Sequence, residues 1–286
     1  MTKAPASSSK KSGNIYIGVG GWTFAPWRGV FYPEKLAQSK ELQYAASKLT
    51  SIEINGTYYG SQKPESFRKW AREVPDGFVF SLKGPRFTTN RRVLAEAGDS
   101  IKHFYNTGVL ELGERLGPVL WQFAPTKKFD EADFGKFLEL LPREIDGRKL
   151  RHVVEVRNDS FRTPAFVALL RQFETPVVFA EHGTYPAIAD VAADFVYARL
   201  LFRHGFIDAG QILRRAAGGP GLRPLGPLIE RLRRVTGLQF LVALLQARID
   251  EVRRDVGDLG IGVVLGVADG GAGLARQRAR WSLSDV

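Results

Sequence analysis

Val153-Val154-Glu155-Val156-Arg157, Thr163-Pro164-Ala165-Phe166-Val167-Ala168-Leu169-Leu170-Arg171-Gln172-Phe173 and Val177-Val178-Phe179-Ala180-Glu181 follow one another with no linker between them. The first and last are short apolar runs rich in β-branched residues, the composition of strands buried on both faces. The middle segment sets Phe166, Leu169, Leu170 and Phe173 at i, i+3, i+4 and i+7, which is one face of a helix. Thr163 stands at an N-cap position and Pro164 at the first helical position, where its missing N–H costs nothing. Strand, helix and strand in that order imply a parallel pair joined by a right-handed crossover.

The same alternation extends outward. Apolar runs occur at Ile15–Val19 before Gly20-Gly21-Trp22, at Ile52–Ile54 around Glu53, and at Phe78–Leu82 before Lys83. Two more lie at Val119–Trp121 before Gln122 and at Phe195–Ala198 before Arg199. Helical periodicity recurs at Leu42/Ala45/Ala46/Leu49, Phe67/Trp70/Ala71/Val74 and Phe134/Phe137/Leu138/Leu141, with Asp130 opening the last. A further helix is expected over Ile101–Leu116, stopped by Gly117. Seven such runs exceed the smallest doubly wound domain, and an eighth would close a ring. The fold class is therefore α/β, a (β/α)8 TIM-barrel-like chain with parallel strands. Its eighth strand rests on Ile261–Val267 alone.

At 286 residues with 44% hydrophobic and 25% charged side chains, the chain fits one barrel of roughly 250 residues. Residues 1–13 read as a disordered basic tail and 14–286 as a single domain. Residues 201–286 are atypical, because they hold no lysine and no tyrosine but many arginines. That bias is also what a frame-shifted or replaced tail would produce. With no cysteine, disulfides and thiolate chemistry are excluded. The start has no apolar h-region and no stretch is long enough to span a bilayer, so a soluble cytoplasmic protein with no membrane partner is expected. The net charge of +11 favours anionic partners.

Chemistry is expected at the carboxyl ends of the strands. Side chains two apart in a strand share a face, which pairs Glu53 with Asn55, Ser81 with Lys83, Glu155 with Arg157 and Tyr197 with Arg199. Glu53, Glu155 and Lys83 are the candidate catalytic residues, as acid/base groups. Trp22, Asn55, Tyr59, Gln122, Arg157 and Arg199 are candidate substrate-binding residues. Buried charges of both signs are also expected to pair with one another. Trp27, Phe31, Tyr32, Tyr58 and Trp121 add aromatic surface for stacking or for packing of loops. His182 is the one histidine at a strand's carboxyl end, whereas His103, His152 and His204 are not. The His, Asp and Glu pattern offers no converging metal set, so neither a metal nor a cofactor is expected. Gly18-Val19-Gly20-Gly21-Trp22-Thr23 lacks the third glycine of a dinucleotide fingerprint. Thr88-Thr89-Asn90-Arg91-Arg92 is a basic loop suited to phosphate or to solvent.

Several stretches together resemble the domain of unknown function 72 family, the YecE-like proteins. They are Ile17-Gly18-Val19-Gly20-Gly21-Trp22, Trp27-Arg28-Gly29, Phe31-Tyr32-Pro33, Ile52-Glu53-Ile54-Asn55-Gly56-Thr57-Tyr58-Tyr59 and Phe78-Val79-Phe80-Ser81-Leu82-Lys83. Leu120-Trp121-Gln122-Phe123, Val154-Glu155-Val156-Arg157 and Tyr197-Ala198-Arg199-Leu200 complete the set. The resemblance covers about residues 14–200. It implies a barrel-like α/β fold with a pocket near these residues and supplies no reaction, substrate or cofactor. The chain departs from it at Asn158, where the family commonly carries His, and again after Leu200.

The leading expectation is an enzyme working without a metal on a small anionic or polyhydroxy substrate at the barrel mouth. A glycosidase-like mechanism would need Glu53 and Glu155 about 5–9 Å apart and free of ion pairs. The alternatives are a nucleic-acid or polyanion-binding protein without catalysis, and an inactive copy with a damaged C-terminus. The oligomeric state is not encoded in these patterns.

Overall fold

A strand covered on both faces must be apolar on both, and its alternate residues then belong to two different cores. Residues Ile52, Ile54, Phe80, Leu82, Val119, Trp121, Phe123, Val154 and Val156 pack with the helices in one large cluster. Leu120, Val153, Val178, Ala180, Phe195 and Tyr197 form a second cluster on the opposite face, with Tyr16 against it. The computed structural model describes residues 15–29, 31–181, 184–188, 190, 192–200 and 261–265. The 1–13 tail, His182, His204 and the chain between residues 200 and 261 fall outside these.

The elements alternate as expected. They are β1 (Ile15–Gly20), α1 (Glu41–Ala46), β2 (Ser51–Ile54), α2 (Pro64–Glu73), β3 (Val79–Lys83), α3 (Gly98–Asn106) and β4 (Leu116–Gln122). After α4 (Glu131–Leu140) and a short hairpin pairing Glu144–Ile145 with Arg148–Lys149 come β5 (His152–Glu155) and α5 (Pro164–Gln172). β6 (Phe179–Glu181), β7 (Val196–Leu200) and β8 (Ile261–Leu265) follow. Strands β1 to β5 are consecutively parallel, with Gly18 opposite Ser51, Glu53 opposite Ser81, Lys83 opposite Leu120 and Gln122 opposite Glu155. The mixed sheet runs in the order β5-β4-β3-β2-β1-β8-β7-β6.

Local signals account for the helix starts. Thr163 Oγ1 accepts from Phe166 N at 3.2 Å, and Asp130 Oδ1 accepts from Asp133 N at 2.9 Å, as N-caps do. The helix expected over 101–116 ends instead at Asn106. Gly108 breaks it by adopting φ +97°, with its backbone so near Pro64 that a Cβ would meet it at 2.8 Å.

Two findings concern how strands pair within the sheet and at its margin. Strand β8 runs antiparallel to both β1 and β7, so the expectation of parallel strands throughout is corrected. The edges of β1 and β7 each carry unpaired N–H and C=O groups, and an antiparallel strand satisfies them as fully as a parallel one. At the other margin, Val154 N donates to Pro176 O at 3.0 Å and Val178 N donates to Val154 O at 2.8 Å, an isolated parallel bridge between β5 and the approach to β6. Among the described residues, no helix is long and apolar enough to cross a membrane.

Candidate functional site

Polar side chains gather where β2, β3, β4, β5 and β7 end on the face opposite the helices. Glu53 and Glu155 sit there buried, at 3% and 0% exposure. Arg199 spans them, with Nη1 2.5 Å from Glu155 Oε2 and Nη2 3.4 Å from Glu53 Oε1. Arg157 donates from Nε to Glu155 Oε1 at 2.7 Å and from Nη2 to Gln122 Oε1 at 2.8 Å. Tyr197 donates its hydroxyl to Glu53 Oε2 at 2.7 Å and lies 3.0 Å from Ser81 Oγ. The register explains the convergence, since Gln122 stands opposite Glu155 and Glu53 opposite Ser81.

Charges this deep are tolerable only when paired. Burial alone would push the Glu155 carboxyl up, yet Arg199 and Arg157 outweigh it and hold the group below the usual carboxylate range. The Arg199 guanidinium is opposed by burial but is raised by Glu53 and Glu155. Burial and then the Glu53 charge hold the Tyr197 phenol well above its ordinary value, so it stays a donor.

Lys83 stands apart. It is 8% exposed, and its Nζ has no hydrogen-bond acceptor among the described residues. The Nζ lies over the Tyr58 ring, 4.8 Å from the centroid. Burial lowers its pKa most; Glu53 and Glu155 oppose this, while Arg199 and Arg157 add to it. The backbone around it is pinned. Thr57 Oγ1 lies 2.7 Å from Lys83 O, and Gly84 N donates to Leu120 O at 2.8 Å.

Gly84 is required by packing. A Cβ there would lie 2.4 Å from the Trp121 ring, which is itself wedged between Phe104 and Phe137 and cannot give way. Gly84→Ala is expected to cost about 1–3 kcal/mol, the usual penalty of overpacking. Chemical denaturation with an unchanged m-value checks it.

The cluster thus unites six of the nine residues singled out from the sequence: Glu53, Lys83, Gln122, Glu155, Arg157 and Arg199. Three stand elsewhere. Trp22 packs edge-on against Trp70 at 5.3 Å and beside Phe80, in the layer between sheet and helices. Asn55 is half-buried and precedes the turn Gly56–Tyr59, taking Tyr58 N on its backbone carbonyl. Tyr59 is 70% exposed and lies against Arg86. Trp121 likewise faces the helices. Three site residues went unassigned: Tyr197 and Ser81, which the two-residue period had already placed on this face, and Tyr185, whose ring lies 4.7 Å from the Arg157 guanidinium carbon. The Glu181 side chain and His182 lie outside the described side chains. Among the described residues no group of three or more His, Asp or Glu side chains converges as a metal site would require.

Arg157 and Arg199 occupy both oxygens of Glu155, so the chain gives no support to the paired free carboxylates that a glycosidase-like mechanism needs. Glu53 keeps one oxygen, Oε1, ion-paired with Arg199 but with no hydrogen-bond donor among the described residues.

Comparison with known proteins identifies the family. UPF0759 protein YunF of Bacillus subtilis is 29% identical over 116 residues, which is 39% of this chain and 40% of the relative. UPF0759 protein YecE of Escherichia coli K12 is 28% identical over 148 residues, 51% of this chain and 50% of the relative. The chain thus matches half or less of the length of these relatives. A solved DUF72 family protein of Thermotoga maritima superposes with a TM-score of 0.57 at 24% identity, over 85% of this chain and 88% of that one. One from Enterococcus faecalis gives 0.53 at 20% identity, over 69% and 76%. These two likenesses speak for a shared fold. The family profile described as "Protein of unknown function DUF72" matches residues 16–244, and the chain belongs to that family.

Proposed function

We propose that the sheet closes into a barrel of the (β/α)8 type and that its carboxyl-end mouth is the active site of an enzyme acting on a small anionic substrate. The bridge between Val154 and Val177 and the separate inner cluster support closure. The observation that carries the function is an imbalance of charge. Among the described residues three cations, Lys83, Arg157 and Arg199, face two carboxylates, and one of the three, Lys83, has no anionic partner in contact. A buried excess cation of this kind attracts a ligand carboxylate or phosphate, which would complete the pairing.

The division of labour follows from the contacts. Glu155 fixes Arg157 and Arg199, leaving Arg157 Nη1 without a hydrogen bond to a described residue. That nitrogen and Lys83 Nζ are two donors available to an incoming anion. Lys83 is the proton-transfer group, since a depressed ammonium exchanges protons nearer neutral pH than an ordinary lysine. Glu53, with Oε1 unbonded, is the second candidate for moving a proton.

Melting the full-length protein against phosphate, sulfate, 2-oxo acids, sugar phosphates and neutral sugars tests the reading. At least one small anion is expected to raise the Tm, with no response to neutral sugars and a response at least about tenfold weaker in affinity for Lys83→Met, because losing a charge-assisted contact costs about 1.5–3 kcal/mol. A Lys83→Met protein that binds the anion as well as the wild type, or a wild type that binds none, overturns it.

A further inference from the structure

Resting on that reading, we infer that Lys83 is a nucleophile: its Nζ condenses with the carbonyl carbon of a small anionic aldehyde or ketone, held at Arg157, to form an imine.

Two arginines already supply permanent positive charge at the mouth, so a third group meant only to hold an anion would be served as well by arginine. Lysine differs in having an amine that can lose its proton and attack carbon. The surroundings of Lys83 ease the loss of that proton from the ammonium. It is 8% exposed, it has no acceptor among the described residues to hold three protons, and the charges of Arg199 and Arg157 disfavour its own. Burial lowers its pKa, in accord with this arrangement. The Tyr58 face packs one side of the nitrogen. Thr57 and Gly84 hold the backbone from which the side chain extends, so the amine is aimed by fixed elements.

The step balances without an oxidant or reductant. The neutral amine adds its electron pair to the carbonyl carbon, and the carbonyl oxygen becomes a hydroxyl by taking the proton the nitrogen gives up. A second proton, from solvent, lets that oxygen leave as water. The product is a protonated imine, one C=N bond in place of one C=O, with one water released. The positive imine then lies beside Glu53, whose Oε1 has no hydrogen-bond donor. That oxygen, ion-paired with Arg199 Nη2 at 3.4 Å, is the candidate to receive a proton from the adjacent carbon.

The test is reductive trapping of the full chain. The protein is incubated separately with pyruvate, glyoxylate and glycolaldehyde phosphate, treated with borohydride, digested and mapped by mass spectrometry. A bound substrate presents its carbonyl to an amine held by fixed elements, so the Lys83 peptide is expected to carry the reduced adduct at least about tenfold more than any other lysine peptide. Inorganic phosphate is expected to compete. Lys83→Arg keeps the charge and is expected to retain the phosphate-induced rise in Tm while losing the adduct. The wild-type peptide map stands alone if that variant does not fold. Adducts spread evenly over surface lysines, or absent, with phosphate binding intact would overturn the imine and leave the anion site standing. Absence of both would overturn the two together.

Discussion

Replacing Arg199 by methionine is expected to lower the unfolding free energy by about 3–5 kcal/mol at neutral pH, the cost of stranding buried charge. Among the described residues Arg199 is the one side chain ion-paired with both carboxylates, and its removal leaves Glu155 with Arg157 and Glu53 with Tyr197. The loss should itself depend on pH. In the wild type the Glu155 pKa is depressed, so its contribution is present above the unfolded value and disappears as pH falls through the folded one. Without Arg199, burial regains the upper hand and the carboxyl takes up a proton sooner. The gap between variant and wild type is therefore expected to narrow as the pH is lowered from 7 towards the carboxylate range. Adding Glu155→Gln to Arg199→Met should recover part of the loss, with a coupling energy of about 1 kcal/mol or more. Urea titrations at several pH values measure all three quantities. Additive single and double mutants would mean that Arg199 acts through packing alone.

The parts of this site that were legible in the sequence are those governed by a period of two. Glu53 and Glu155 interrupt apolar runs and Lys83 and Arg199 end them, and alternation sets Ser81 beside Lys83, Glu155 beside Arg157 and Tyr197 beside Arg199 without any knowledge of neighbours. Which of them touch is decided elsewhere. Gln122 meets Arg157 because β4 and β5 pair with Gln122 opposite Glu155, and Tyr197 meets Glu53 across the sheet from a distant point in the chain. Neither register nor strand order is written in a local pattern. The aromatics mark the other limit. Trp22 and Tyr59 follow strands directly, but a loop carries no periodicity, and the two rings settle on Trp70 and Arg86. Tyr58, one residue away in the same turn, points at Lys83 instead. Strand β8 shows the same limit in the backbone. Ile261-Gly262-Val263-Val264-Leu265 is an apolar run that reads alike in both directions, so its composition announces a strand and is silent on whether it runs parallel.

His152 carries the last large effect, and it is one of stability at the far end of β5 from the catalytic candidates. Its ring is buried and doubly tied: Trp121 Nε1 donates to Nδ1 at 3.1 Å, and Nε2 lies 2.7 Å from Pro142 O. An accepting Nδ1 and a carbonyl beside Nε2 together select the neutral tautomer with its proton on Nε2. A second proton on Nδ1 would confront the Trp121 N–H, and no described side chain offers it another acceptor. Burial, which outweighs the Pro142 carbonyl, pushes the ring down to about 4, helped by Arg143. Because the folded value lies below the unfolded 6.5, the unfolded chain binds the extra proton first. The stability contribution is therefore whole above about pH 6.5 and is lost as the pH falls towards 4, amounting to about 3 kcal/mol at the limit. This window lies above the one in which Glu155 and Asp133, both depressed, begin to protonate in the folded protein, so the two limbs separate. His152→Gln keeps a donor for Pro142 and cannot titrate. Its unfolding free energy should be lower than that of the wild type at pH 7 and nearly flat between pH 6.5 and 4.5. A wild type already flat over that interval would show that His152 is protonated in the native state and that the Trp121 bond is not formed.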